Sequence, residues 1–293
     1  MKKILITLTT LALAALPLAS AQATTDYGVH VYMSAPKVQG TPLTANYTTE
    51  TFDGFNAGDL ATTLSIGTVT GPCRIDNGGV YGGASSTSAD PVTGGSSSKY
   101  ATTVDGVQVI TIDLTKPAKY LGLWWTAGSP SNQVKFYSEG QEVAAMTTAG
   151  LIDKLSQATV GSKDGNNTYN SADYYGNPVN GGASGEPFVY LNVYGIGGIS
   201  FDRIELSGAG FEFDNITVSD LEQPVAGSLV DVEYIPSEIA PPVDPVDEPK
   251  EATGGETLAD TGYDAFAMST TAAILALLGS LTLGASVIAR RRK

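Results

Sequence analysis

A single histidine, His30, and a single cysteine, Cys73, limit the chemistry open to this chain. A Ser-His-Asp relay would have to run through His30, and no Gly-x-Ser-x-Gly nucleophile turn accompanies it. A structural role is the expectation for His30. Cys73 stands in Gly71-Pro72-Cys73-Arg74-Ile75. A reactive thiolate needs an electropositive pocket, so Cys73 is expected to be a small buried apolar group. Carboxylates offer more. Glu212 and Asp214 are two apart in a strand-like run and share a face, and Asp202 and Glu205 lie on the run before it. Acid pairs about 5–9 Å apart in a cleft hydrolyse glycosidic bonds. The same hard oxygens suit a structural calcium ion, for which Asp53 and Asp214, then Glu212 and Asp26, are the candidate ligands. Stacking is the third chemistry. Trp124 and Trp125 are adjacent, so on a strand they point to opposite faces, one into the core and one exposed or under a loop. An exposed Trp, joined by Tyr81 and Tyr100 and by Tyr174 and Tyr175 from loops, would form a ligand-binding face for a sugar ring.

Several chemistries are excluded. One Cys makes no internal disulfide, and one Cys with one His makes no four-ligand zinc site. Thirty acids against sixteen Lys and Arg leave a net charge of −14. Such a chain repels phosphate, so no nucleic-acid partner is expected.

The elements that must position these residues read as strands. Val107–Leu114, Tyr120–Trp125, Phe188–Tyr194, Ile199–Leu206 and Phe211–Val218 are rich in β-branched and aromatic residues. Gln133–Tyr137 and Glu142–Met146 flank Ser138-Glu139-Gly140-Gln141, the pattern of a hairpin. Met146–Leu155 is the one segment with a helical pattern. Gly, Ser and Asn fill residues 82–98 and 161–185, which are expected to be long loops where recognition sits. The expectation is an all-β fold, an antiparallel β-sandwich of jelly-roll type, spanning residues 24–222.

The two ends read differently. Lys2 and Lys3, the apolar run Ile4–Leu18 and small residues at Ala19, Ala21 and Ala23 have the anatomy of a secretory signal peptide over residues 1–23. Residues 223–257 are expected to be an acidic stalk. From Ile235 on they carry Pro236, Pro241, Pro242, Pro245 and Pro249 among six Asp and Glu, a composition that favours an extended spacer. Ala265–Ala289 holds no charge, and at 1.5 Å per residue a helix there is about 37 Å long, enough for a hydrocarbon core of ~30 Å. Arg290, Arg291, Arg292 and Lys293 follow and would hold that end in the cytoplasm.

Leu258-Ala259-Asp260-Thr261-Gly262 stands just before that span. Pentapeptide, apolar span and basic tail in this order resemble the Leu-Pro-x-Thr-Gly cell-wall sorting signal of Gram-positive sortase substrates, with Ala259 in place of the family's Pro. The resemblance implies that a sortase cysteine attacks the Thr261–Gly262 carbonyl. A thioester forms, and the chain passes to an amine of the peptidoglycan, leaving Thr261 as the new C-terminus. The Leu-Ala-x-Thr-Gly form is similar to that used by a sortase class of high-GC Gram-positive bacteria. Within the domain, Thr51-Phe52-Asp53-Gly54, Tyr81-Gly82-Gly83-Ala84, Lys116–Trp125, Val134–Tyr137 and Phe211–Ile216 resemble the β-sandwich of exosortase-sorted (PEP-CTERM-type) surface proteins. That resemblance extends to carbohydrate-binding jelly rolls.

These readings imply an extracellular, wall-anchored surface protein, a binding module or adhesin for a carbohydrate or a host or neighbour surface, and not an enzyme. A structural coat protein without a specific ligand is the alternative, and a small glycan hydrolase the third. An intramolecular Lys–Asn isopeptide bond stays open at this point.

Overall fold

The computed structural model describes residues 27–78, 83, 99–104 and 108–236. The expected signal peptide (1–23), Asp26, Tyr81, residues 237–257, Leu258–Gly262, the apolar span 265–289 and the tail 290–293 lie outside the described residues. In chain order the strands begin with β1 (Gly28–Met33), β2 (Thr48–Glu50), β3 (Thr63–Leu64), β4 (Gly67–Thr70), β5 (Cys73–Asn77), β6 (Lys99–Thr103), β7 (Gln108–Ala118) and β8 (Tyr120–Thr126). They continue with β9 (Gln133–Ser138), β10 (Gln141–Thr147), β11 (Thr159–Gly161), β12 (Thr168–Asn170), β13 (Val189–Ile196), β14 (Phe201–Gly208), β15 (Glu212–Ser219) and β16 (Val230–Pro236). A short helix, α1 (Thr148–Lys154), falls inside the window with the helical pattern, and the Thr147 side chain caps it by accepting the Gly150 N–H. Among the described residues no helix is long and apolar enough to cross a membrane.

The strands pair antiparallel in two main sheets, the sandwich-like all-β architecture expected. One sheet has the order β16-β1-β13-β8-β15-β6-β5, with β2 on β15; the other has β10-β9-β14-β7-β4-β3. β11 and β12 form a separate hairpin. The β9–β10 hairpin has the residues its turn demands: Glu139 and Gly140 both take positive φ, as a two-residue turn between right-twisted strands requires.

The core lies between the two main sheets. Val134, Phe136, Phe201, Ile204, Leu206, Ile110 and Ile112 come from one sheet and Leu121, Leu123, Trp125, Phe213 and Ile216 from the other. Phe201 and Ile204 are three apart, a spacing that alternation alone would split between two faces. A bulge between Phe201 and Arg203 in the β14–β7 pairing turns both inward. Phe213 and Ile216 pose the same problem on β15. There the register shifts between Asp214 and Thr217, and Asn215 takes φ 45°.

Register defines two poles. Gly28 pairs with Ile196 of β13 and with Pro236 of β16, so the chain enters and leaves the described body at one end, the terminal pole. Tyr194, Tyr120 and Ser219 line up across β13, β8 and β15 near this pole. The opposite, distal pole carries the turns after β8 and before β15, and the long excursion between β10 and β13 with α1 and the β11–β12 hairpin.

The domain boundary differs from the sequence expectation. Residues 223–236 were expected in the stalk, yet Val230–Pro236 forms β16 and pairs along the whole of β1. Val230 belongs to the core and Leu229 packs on the outer face of the larger sheet. The Pro-rich composition after Ile235 masks a preceding alternating run, Val230, Val232 and Tyr234, that is ordinary strand.

Candidate functional site

The expected aromatic platform is not at the surface. Trp124 and Trp125 do point to opposite faces, but both are at most 1% exposed. Trp125 sits between the sheets with its ring 4.5 Å from Phe211. Trp124 lies on the outer face of the larger sheet, under Phe188 and against Tyr190 and Ala183. Tyr100 is buried on β6, and Tyr174 is buried with its hydroxyl donated to the Ser34 carbonyl. The aromatic ligand-binding expectation for Trp124, Trp125 and Tyr100 is therefore corrected: a covering segment turned an outward Trp into a second, smaller core.

The acidic residues do not converge. β14 and β15 are consecutive in sequence but belong to different sheets. Ile204 and Leu206 are in the core, so Glu205 faces outward from the smaller sheet, where it accepts the Tyr137 hydroxyl at 2.7 Å. Asp202 accepts the Gly140 N–H. Phe213 faces the core, so Glu212 and Asp214 face outward from the larger sheet, away from the first pair. Burial first, then its neighbours Glu186 and Asp76, push the Glu212 carboxyl up to about 8. Among the candidate calcium ligands, Asp53 accepts the Lys99 N–H and Asp214 accepts the Asn215 N–H. Among the described residues no three His, Cys, Asp or Glu lie close enough together to share a metal ion.

His30 spans the β1–β16 seam. Its Nε2 is 3.5 Å from Asp231 and its Nδ1 is 3.1 Å from the Tyr32 hydroxyl, with the Tyr234 ring alongside. Burial and then the Asp231 charge raise the Tyr32 phenol, the opposite of what activation needs. Cys73 is fully buried, and burial followed by the Glu50 charge pushes its thiol up to about 12. Cys73 is thus the small buried group expected.

A layer of polar and aromatic side chains covers the outer face of the larger sheet and holds down the segment between β1 and β2. Thr41 meets the Tyr120 hydroxyl at 2.9 Å, and Tyr120 donates to Asn192 Oδ1 at 2.8 Å. Asn192 Nδ2 donates to Ser34 Oγ at 3.0 Å. Tyr190 donates to Thr217 Oγ1, and Asn215 Nδ2 donates to the Gln39 carbonyl. Burial pushes the Tyr120 and Tyr190 phenols up, so both stay neutral donors. Gly122 makes the layer possible: a Cβ there would fall within 2.7 Å of both tyrosine hydroxyls. At the far end of the segment, Ser219 Oγ donates to the Asn46 carbonyl at 2.7 Å.

That last contact shapes a cleft of about 400 Å³ at the terminal pole. Asn46, Tyr47 and Thr48 form one side, the β3–β4 turn at Ser65 and Ile66 another, the end of β7 at Thr115 and Lys116 a third, and the end of β15 a fourth. Its volume is in the range of small-molecule sites. Ile66, Ala118 and Val218 give it an apolar floor, and neutral hydroxyls and an amide surround it. Lys116 and Asp220 add one charge of each sign to the rim, their exposed side chains 4.0 Å apart, and close by Lys119 Nζ lies 3.2 Å from Glu222. The cleft can hydrogen-bond and stack. None of its residues was singled out in the sequence as a ligand contact, since the four segments that build it are far apart in the chain. Comparison with protein-family models and with curated proteins finds no match for this chain.

Proposed function

We propose that this chain is a Gram-positive surface protein whose jelly-roll-like sandwich, related to PEP-CTERM-type and carbohydrate-binding domains, binds an uncharged glycan in the cleft beside Tyr47. It is exported by residues 1–23 and joined to peptidoglycan by a sortase that cuts after Thr261. The anchoring half of this reading rests on the order of pentapeptide, apolar span and basic tail. One observation carries the binding half: a cleft of ligand size with a half-buried tyrosine, neutral hydrogen-bonding side chains and an apolar floor, whose only charged lining residues among those described are one of each sign, Lys116 and Asp220. A sugar presents this mixture of hydroxyls and apolar ring faces. The pairing of Gly28 with Pro236 is compatible with tethering, since both chain ends leave from one pole.

A glycan array probed with the full-length protein, extracted from cells in mild detergent, tests the binding half. Retention on uncharged glycans, lost in Tyr47→Ala, supports it; equal retention of wild type and variant, or none on any glycan, removes it. Mass spectrometry of protein released from the wall tests the anchor. A C-terminus at Thr261 is expected, and an intact end at Lys293 overturns it.

A further inference from the structure

We infer that the cleft takes a chain of sugar units rather than a single one, because a second cleft continues it across Asn46; this rests on the glycan reading above. The second cleft, of about 280 Å³, lies between Pro42, Leu43 and Thr44 on one side and Gln223 and Pro224 on the other. Asn46 lines both. It is exposed, with φ 59°, and the only hydrogen bond of the residue in the described structure is the one its carbonyl accepts from Ser219.

Ser219 links the walls of the two clefts. Its buried Oγ holds the Asn46 carbonyl at 2.7 Å and accepts from Gln223 Nε2 at 2.8 Å and from the Leu221 N–H at 3.3 Å. The ridge between the clefts is thus pinned from below while the Asn46 amide stays at the surface. A left-handed residue held in place by its surroundings is a common device at ligand clamps. The second cleft is also mixed in character, with proline and leucine faces beside Thr44 and Gln223. No charged side chain is among the described residues that line it. A polymer of uncharged, amphipathic rings can place one unit in each cleft and pass its linkage over the exposed Asn46 amide.

Titration calorimetry of the full-length protein with N-acetylglucosamine oligomers of one, two, four and six units, and with glucose oligomers of the same lengths, tests this. Affinity should rise by about tenfold or more from one unit to four in at least one series, the factor that about 1.4 kcal/mol of added contact supplies. Ala45→Trp, which places a large side chain at the exposed rim of the second cleft, should bring the ratio of four-unit to one-unit affinity close to one. Binding that does not grow with length, or a length gain that survives Ala45→Trp, overturns the two-cleft inference and leaves single-unit binding standing. Absence of binding in both series overturns the glycan reading itself.

Discussion

Gly28 and Pro236 face each other across the β1–β16 pair, so the first and last strands of the described body are neighbours at one edge of the larger sheet. β16 closes that edge by pairing along β1, and its Val230 enters the core. The His30–Asp231 contact lies on the same seam.

A chain ending at Glu222, where the sequence would place the domain boundary, should therefore be less stable than one ending at Asp244. It loses every β1–β16 hydrogen bond and bares an edge strand, a known route to aggregation. Thermal melts followed by circular dichroism, with light scattering, should show a lower midpoint and more scatter for the shorter chain. Equal midpoints would remove β16 from the fold.

The layer under the β1–β2 segment predicts a steep cost at Gly122. Gly122→Ala puts a methyl group within 2.7 Å of the Tyr120 and Tyr190 hydroxyls. Overpacking of this kind costs about 1–3 kcal/mol. Tyr190→Phe, which removes one hydrogen bond from Thr217 and leaves its bond to the Thr49 hydroxyl, should cost about 0.5–1.5 kcal/mol. Urea denaturation measures both, and Gly122→Ala should recover part of its loss when combined with Tyr190→Phe.

Glu212 predicts a pH dependence of definite sign. Its carboxyl is pushed from 4.5 up to about 8, chiefly by burial. Below pH 4.5 both folded and unfolded chains hold the proton, and the group exerts no effect. Between about 4.5 and 8 the unfolded chain has released a proton that the folded chain keeps, so stability falls as pH rises, by at most about 1.4 kcal/mol per pH unit. Glu212→Gln should flatten the stability profile across that window. An unchanged slope would show that the carboxylate is solvated.

Both tryptophans and the cysteine should behave as interior groups. Native emission should be blue-shifted and resistant to iodide quenching, since Trp124 and Trp125 are both buried. Cys73 should react with a thiol reagent only in denaturant. Rapid labelling of the native protein would contradict its place in the core.

Much of the strand pattern was legible because burial on one face leaves an alternating record. The Gln133–Ser138 and Gln141–Thr147 hairpin could be read from period two and a Gly-containing turn. That Trp124 and Trp125 face opposite ways followed from their adjacency, but not which of them enters the core. Whether Asp202 and Glu205 meet Glu212 and Asp214 was not legible, for a topological reason: strands next to each other in sequence went to different sheets. Trp124 is the outward one, and nothing local in residues 183–188 announces that Ala183 and Phe188 pack on it.

The sequence by itself determined the strand content, the short helix near Met146–Leu155 and the acidic charge, because these depend on composition and on short-range periodicity. Tertiary structure alone decided which outward faces were covered, where the domain ends, and that Asn46, Ser65, Lys116 and Ser219 meet around one cleft. Those outcomes depend on sheet order and on bulges at Phe201–Arg203 and Asp214–Thr217. They join residues more than a hundred positions apart, and no local pattern encodes such a distance.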